Sequence, residues 1–253
     1  MNVRALLAVA VVGSTLGYAA RAQQPEQANT QPQRAVWTPT SAAPEGLLTP
    51  LEGQRHDFFI GRAQEGDIDI VFFGTTATEM WLWRGRGRSL WDKELGSRKA
   101  ASFGSQGTRF ESLLWRMQNG ELEGFEAKLV VLQFGPGDNS VPRDARLADF
   151  LAGYSAVIAE IRARQPQAKI LLLAAFPRGQ QPREPWREIA AQNAAALAGL
   201  VDDETVFYAD IGERFFYSDG SFNYDLWSYG GIRPRAFEVW AEELQPWLDR
   251  FVR

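Results

Sequence analysis

The amino-acid sequence predicts a three-layer α/β/α domain with a mostly parallel five-stranded sheet. Two observations support this fold class. Short apolar runs without polar alternation indicate strands that are buried on both faces, and amphipathic helical patterns alternate with them, as in parallel βαβ units. A ligand site in such an open sheet lies beyond the carboxyl ends of the strands. The segments of interest are therefore 74–79, 102–108, 135–140, 176–182 and 218–233.

The predicted elements follow one another along the chain. Apolar runs predict strands over Ile68–Phe73, Leu129–Phe134, Ile170–Phe176 and Val206–Ile211. Helical spacing predicts helices over Arg55–Gln64, Phe110–Met117, Leu147–Ile161 and Ile189–Leu200. Pro234 suits the first residue of a final helix, whose apolar face consists of Phe237, Trp240, Leu244, Trp247, Leu248 and Phe251.

The N-terminus has the pattern of a secretory signal peptide over residues 1–22. Arg4 is a basic start, Ala5–Gly17 is an apolar run, and Ala20-Arg21-Ala22 matches an A-x-A cleavage signature. The run is shorter than the about 20 apolar residues of a transmembrane helix. We therefore predict cleavage after Ala22, export to the periplasm or the medium as in bacteria, and no stable membrane span thereafter; an uncleaved anchor is the alternative.

Residues 23–49 are rich in Gln, Pro, Thr and Ala, which predicts a flexible linker before a globular domain over 50–253. The net charge of −4 indicates no phosphate-binding surface, so we expect no nucleic-acid partner. The absence of cysteine excludes disulfides, thiolate metal sites and a cysteine nucleophile. Because the chain also has a single histidine, it offers no credible zinc site, and no clustered Asp/Glu spacing indicates a carboxylate-only metal site, so we predict no metal.

Polar groups in the inspected segments are few. Thr76 with Glu79 three residues later fits a capping box, whereas a threonine nucleophile would need a neighbouring base. His56 precedes the first strand and is expected to be a surface or capping group, away from the carboxyl ends of the strands. The Arg84–Arg88 run predicts a solvated basic loop, with binding of an acidic ligand as the alternative.

Several ordered blocks resemble the SGNH (GDSL-type) hydrolases from about residue 50 to the C-terminus. IDIVFFGTTATEMW (68–81) resembles their first block, in which a strand runs into Gly-Asp-Ser, and SFGSQGTRFESLLWRMQNGEL (102–122) resembles the second. VVLQFGPGD (130–138) resembles the third, which normally reads Gly-x-Asn-Asp or Gly-x-Asn-Asn; LLLAAFPRG (171–179) and the helix around Trp240–Leu244 also fit. The nearest branch resembles platelet-activating-factor acetylhydrolase subunits and bacterial GDSL-type acylesterases. This implies the flavodoxin-like SGNH hydrolase fold.

The resemblance also implies ester hydrolysis without a cofactor. In that family a serine attacks the acyl carbon, a histidine oriented by an aspartate is the base, and a serine N–H, a glycine N–H and an asparagine form the oxyanion hole. Carried over by position, the nucleophile falls on Thr76, the residue before it on Thr75, the oxyanion glycine on Gly107 and the oxyanion asparagine on Gly137. The aspartate falls on Ser228 and the histidine on Gly231. Further ligand-binding candidates are Thr75, Asp138, Asn139 and Trp227.

These replacements predict a pseudoenzyme. Loss of one oxyanion donor costs about 10² to 10³ in rate, and loss of a triad serine or histidine costs on the order of 10⁶. The leading hypothesis is an exported protein that binds a glycan, an acylated small molecule or a protein partner in the former active-site cleft. One alternative is an active acylesterase that uses Thr76 with Asp138 or Asp225 as base, within about 3.2 Å of the hydroxyl. The other is a protein-interaction module tethered through residues 23–49.

Overall fold

A computed structural model describes residues 43–135, 143–176, 185–228 and 231–252. The described residues form one compact unit. The predicted signal peptide lies outside the described residues, and the domain boundaries stay a prediction. In the described part of the chain, no helix is both long enough and apolar enough to cross a membrane.

A five-stranded parallel sheet forms the centre of the domain, with the strand order β2-β1-β3-β4-β5. Its strands are β1 Ile70–Gly74, β2 Ala100–Ser102, β3 Leu129–Gln133, β4 Lys169–Leu173 and β5 Val206–Ala209. A separate antiparallel ribbon pairs β6 Trp227–Ser228 with β7 Gly231–Ile232. The predicted fold class, with helices on both faces of a parallel sheet, is confirmed.

Helices cover both faces of this sheet. They are α1 Pro50–Gln64, α2 Thr76–Glu79, α3 Arg88–Leu90, α4 Phe110–Arg116, α5 Arg143–Arg164, α6 Pro185–Ala198 and α7 Pro234–Phe251. Short 3₁₀ or π-helical turns follow some of them, including Met117–Glu121 directly after α4. The predicted start of the last helix at Pro234 is confirmed.

Two apolar clusters separate the layers. In β1, Val71 and Phe73 pack against α1, α4 and α5, whereas Ile70 and Phe72 pack against α7 and the segment after α2. The strand thus supplies alternate residues to the two faces, and all five of its residues are buried. This explains the apolar run without polar alternation, because both faces of the sheet are covered.

Strand ends differ from the predicted bounds. β1 begins at Ile70 instead of Ile68, after Asp67 in a left-handed conformation (φ 55°), and β4 ends at Leu173 instead of Phe176. Ile68 and Phe176 are nevertheless buried. Apolar character at these positions therefore reflects burial rather than strand pairing. The edge strand β2 has only three residues, too few for a pattern to mark it.

Two glycines allow α2 to approach the strand ends closely. A Cβ atom on Gly74 would lie 2.1 Å from Thr78 Oγ1 and 2.4 Å from the carbonyl oxygen of Gln133. A Cβ atom on Gly104 would lie 2.6 Å from the backbone nitrogen of Glu79. A larger residue at either position would force the turn that carries Thr75 and Thr76 away from the sheet.

We expect Gly74→Ala to lower the free energy of unfolding by about 1–3 kcal/mol, because an overpacked site must shift its neighbours. The matched control is Gly61→Ala in α1, where a Cβ atom would meet nothing within 4 Å. That change should raise stability by up to about 1 kcal/mol through helix propensity. Urea unfolding of both variants measures the difference. Equal stability of the two would contradict the close packing described for Gly74.

Candidate functional site

The candidate site lies at the carboxyl ends of β1, β2 and β3. The chain places β2 on one side of β1 and β3 on the other, so the sheet has its topological switch point at β1. Open α/β sheets bind ligands at this point. Three of the inspected segments begin here: 74–79 after β1, 102–108 after β2 and 135–140 after β3.

Thr75 and Thr76 form the turn from β1 into α2. Thr75 is the N-cap residue with extended backbone and no side-chain capping bond, and Thr76 is the first residue of the helix. Both side chains are partly exposed. Within the described residues, the Thr76 hydroxyl has no hydrogen-bond partner. The predicted capping box of Thr76 and Glu79 is wrong, because the carboxylate of Glu79 binds other groups.

Glu79 is a buried acceptor that joins three elements. Its Oε1 accepts hydrogen bonds from Arg55 Nη2 at 2.5 Å and from Trp83 Nε1 at 2.9 Å. Its Oε2 accepts from the backbone N–H of Gln106 at 2.7 Å and also contacts Arg55 Nη1. Glu79 therefore engages a guanidinium, an indole N–H and a backbone N–H instead of capping α2. Glu79 thereby ties α1 to the loop after β2.

In the loop after β2, the backbone N–H of Gly107 forms no hydrogen bond with the described residues. The amides on either side all donate to protein acceptors: Ser105 to Gly74 O (3.2 Å), Gln106 to Glu79 Oε2 (2.7 Å), Thr108 to Ser105 O (3.2 Å) and Arg109 to Ser112 Oγ (3.0 Å). In the described ranges no acceptor meets the Gly107 amide. Gly107 is exposed and has φ +85°, a conformation that favours glycine. This N–H is therefore available to a ligand oxygen.

A buried ion pair also forms hydrogen bonds with this loop. Arg116 binds Glu121 in a bidentate manner, with Nε to Oε1 at 2.7 Å and Nη2 to Oε2 at 2.8 Å, and both side chains are fully buried. Its remaining contacts reach the loop, with Nη1 to Thr108 Oγ1 at 3.1 Å and Nη2 to Phe103 O at 2.8 Å. The guanidinium therefore contacts both ends of the segment that contains Gly107.

His56 belongs to this cluster, which corrects the expectation of a surface or capping histidine. It is buried in α1, its Nδ1 lies 2.9 Å from Glu121 Oε1, and its ring contacts Trp115. Its partner Glu121 binds Arg116, which reaches Phe103 and Thr108 after β2, so His56 does not lie away from the carboxyl ends of the strands. The first half of α1 lies beside this edge of the sheet, a placement that position along the chain does not reveal.

Tyr154 of α5 binds the backbone of Phe134, the residue directly after β3. The fully buried Tyr154 hydroxyl accepts a hydrogen bond from the backbone N–H of Phe134 at 3.1 Å, and burial raises the pKa of this hydroxyl. The last residue of β3, Gln133, is buried, and its Oε1 has no partner among the described residues. Gly137, Asp138 and Asn139 lie outside the described residues, so the third oxyanion position stays a prediction.

The last segment forms the β6–β7 ribbon, in which Ser228 pairs with Gly231. Gly231 has φ +94°, and a Cβ atom there would lie 3.7 Å from Met80 Cε. Of Ser228 only the backbone position is described. Trp227 is partly buried against the cluster around α7 and keeps some exposed surface. The ribbon thus brings Gly231 close to Met80, which follows α2.

Asp225 and the basic run Arg84–Arg88 both contact other parts of the protein. Asp225 is exposed and faces Arg235 at 3.6 Å, so it is not the carboxylate expected beside Thr76. The basic run is not simply a solvated loop, since Arg86 Nη1 donates to Ile232 O at 2.8 Å and Gly87 is buried. A Cβ atom on Gly87 would lie 2.7 Å from Trp81 Cα, so the turn needs glycine here.

Taken together, the described residues include no hydrogen-bond partner for the Thr76 hydroxyl and no acceptor for the Gly107 amide. Thr76 follows β1 and Gly107 follows the adjacent strand β2. The histidine of the chain is bound to Glu121. In the parts of the chain described, there is no cluster of three or more His, Asp or Glu side chains that could hold a metal ion. Glu79, Arg116 and Glu121 were missed as site residues. In the sequence, their only distinguishing feature is a charged side chain at a core position. Helical spacing alone does not indicate that such a residue is functional.

The sequence matches the profile of the GDSL-like Lipase/Acylhydrolase family over residues 70–236. It is 28% identical over 178 residues to the human platelet-activating factor acetylhydrolase IB subunit alpha1, covering 69% of this chain and 72% of that protein. Among solved structures, an acetyl xylan esterase superposes with a TM-score of 0.59 at 17% identity, covering 72% of this chain and 100% of the other. A GDSL-like lipase from Bacteroides thetaiotaomicron has a TM-score of 0.56 at 12% identity, covering 79% and 97% of the two chains. The matched residues include β1, the loop after β2 that contains Gly107, and β7.

We expect Tyr154→Phe to lower the free energy of unfolding by about 1–3 kcal/mol, because the buried Phe134 N–H loses its acceptor. The matched control is Tyr217→Phe, at a position that is 47% exposed, which should stay within about 0.5 kcal/mol of wild type. Urea unfolding at neutral pH measures both. A Tyr154→Phe protein as stable as the control would contradict the role of this hydrogen bond.

The same pair of variants tests the raised pKa. The folded state favours the neutral hydroxyl, so this contribution to stability is complete below about pH 10 and declines as the pH rises further. Wild type should therefore lose more stability than Tyr154→Phe between neutral and alkaline pH.

Proposed function

Since the chain belongs to the GDSL-like lipase/acylhydrolase family, we propose that it is a hydrolytically impaired member that binds an acylated ligand at the carboxyl edge of its sheet. One observation carries the proposal: the single histidine of the chain is bound to Glu121 within a buried cluster. A threonine hydroxyl stays protonated at neutral pH and becomes a useful nucleophile only with a base. The ligand class is an acetylated sugar or another small acyl ester.

The backbone conformation of Gly231 disfavours a histidine at this position. Its φ of +94° is a conformation that side-chain-bearing residues rarely adopt. A histidine at this position would need a changed ribbon backbone. The absence of a base is thus supported by the backbone as well as by residue identity.

Retention of a ligand site is supported by the loop after β2. The amide of Gly107 is unused while its neighbours are all engaged, so it can donate to the carbonyl oxygen of an acyl group without losing a protein hydrogen bond. An ordered donor that needs no rearrangement strengthens binding of such an oxygen. The fold therefore keeps an element of acyl recognition separately from catalytic groups.

An active acylesterase with Thr76 as nucleophile is the second candidate. It is favoured by the same amide, because Gly107 N–H and the hydroxyl at the start of α2 are the pair that acyl transfer needs. It requires a base that the described residues do not supply, and Asp225 is engaged with Arg235 on the surface.

Hydrolysis assays separate the two candidates. We expect purified wild type and Thr76→Ala to hydrolyse p-nitrophenyl acetate and acetylated xylo-oligosaccharides at indistinguishable rates, and both to bind the acetylated oligosaccharide in calorimetry. The matched control is Thr205→Ala at the opposite edge of the sheet. A loss of about 10²-fold or more that is specific to Thr76→Ala would establish the esterase instead. A fluorophosphonate adduct on Thr76, found by intact mass, would do the same.

We also propose that the protein is exported. The basic residue, apolar run and A-x-A site of residues 1–22 support this proposal. Expression of the full chain in a bacterial host should yield a processed protein that begins at Gln23, as measured by intact mass of the periplasmic fraction. Ala22→Asp should block processing, because the cleavage site needs a small residue. An unprocessed wild-type protein that stays in the cytoplasm would overturn the proposal.

A further inference from the structure

We propose that Arg116 is a positioning residue that holds the Gly107 amide in its ligand-accepting orientation by clamping the loop after β2. The inference deepens the proposed function and rests on it where it concerns ligand affinity. Its structural part, the control of loop conformation, stands independently of any ligand. The loop in question, Phe103–Thr108, is called the Gly107 loop below.

Gly107 is not held by packing of its own. A Cβ atom there would meet nothing within 4 Å, and the residue is exposed. Its N–H forms no hydrogen bond with the described residues. A glycine with so few contacts has wide conformational freedom, so its φ of +85° must be imposed by its neighbours.

Arg116 contacts this loop at both ends. It donates to Phe103 O where the loop leaves β2 and to Thr108 Oγ1 immediately after Gly107. One planar guanidinium therefore sets the separation of the two ends. Within the same loop, the backbone N–H of Gln106 donates a hydrogen bond to Glu79. The residues before and after Gly107 are thus bound to two different buried charged groups.

The guanidinium itself is rigidly placed. It makes four hydrogen bonds in total, two of them to Glu121, and it lies over the Phe59 ring at 5.2 Å from the centroid. Glu121 is oriented further by His56. A fully buried side chain with this many fixed partners has one arrangement, so it can transmit that arrangement to the loop. A lysine could not do so, because its ammonium is a point charge without the planar fork.

A role in core stability alone is the competing explanation, and Thr108 distinguishes the two. Thr108→Val removes one of the two loop-side acceptors and leaves Arg116 bound to Phe103 O and paired with Glu121. Thr108→Ser keeps the hydroxyl and should rescue. Thr205→Val is the matched control at the far edge of the sheet. Arg116→Lys provides the complementary change from the side of the guanidinium.

The experiment combines amide NMR and exchange on the full ligand-free chain with calorimetry using an acetylated xylo-oligosaccharide. In Thr108→Val and Arg116→Lys we expect the Gly107 amide resonance to shift and exchange at Gln106 and Thr108 to accelerate about tenfold or more, the effect of one lost hydrogen bond. Affinity should weaken about tenfold. Thr108→Ser and Thr205→Val should behave like wild type in all three readouts.

Unchanged exchange and an unshifted Gly107 resonance in Thr108→Val would overturn the positioning role, whatever happens to the unfolding midpoint. A Thr108→Ser protein as impaired as Thr108→Val would also overturn it, because the hydroxyl would then not be the relevant group. If wild type fails to bind the oligosaccharide, the proposed ligand class is wrong. The exchange and resonance data then still decide whether Arg116 positions the loop.

Discussion

The buried ion pair of Arg116 and Glu121 is the interaction on which the site depends. Removing two charges from water is costly, and the attraction between them offsets that cost only when further hydrogen bonds satisfy the remaining donors and acceptors. Here the backbone of Phe103, the Thr108 hydroxyl and His56 provide them. Because loss of any partner would leave a buried charge short of hydrogen bonds, α1, the Gly107 loop and α4 must assemble together.

A second constraint is the close approach of α2 to the sheet. Gly74 and Gly104 leave no room for a side chain between the strand ends and the first turn of the helix. This brings Glu79 to the Gly107 loop, where it accepts a hydrogen bond from the backbone N–H of Gln106. Two buried charged groups therefore frame one unused amide. The scaffold features that orient an acyl oxygen are separable from the groups that would activate a nucleophile.

This separation gives the proposed function a physical basis. An unused backbone donor needs only a rigid loop, whereas a general base needs a titratable side chain beside the hydroxyl that it serves. The chain keeps the first requirement at Gly107. At Gly231 it has a left-handed glycine next to Met80, and its histidine supports a structural carboxylate instead. Family membership defines the fold, but the reaction depends on individual groups.

The sequence by itself determined the fold class, the order of its main elements and the start of α7, because apolar periodicity and the proline at Pro234 are local signals. Ordered motif blocks also indicated the family. By that resemblance the nucleophile, oxyanion-glycine and histidine positions fall on Thr76, Gly107 and Gly231. Only the tertiary structure decided the partners of Glu79, Arg116 and His56. Their contacts join residues that are far apart in the chain, such as His56 and Glu121, and a spacing pattern carries no information on which distant charges will meet. Sequence reasoning assigned His56 to the surface because burial of a single polar residue depends on a partner that only the folded chain brings to it.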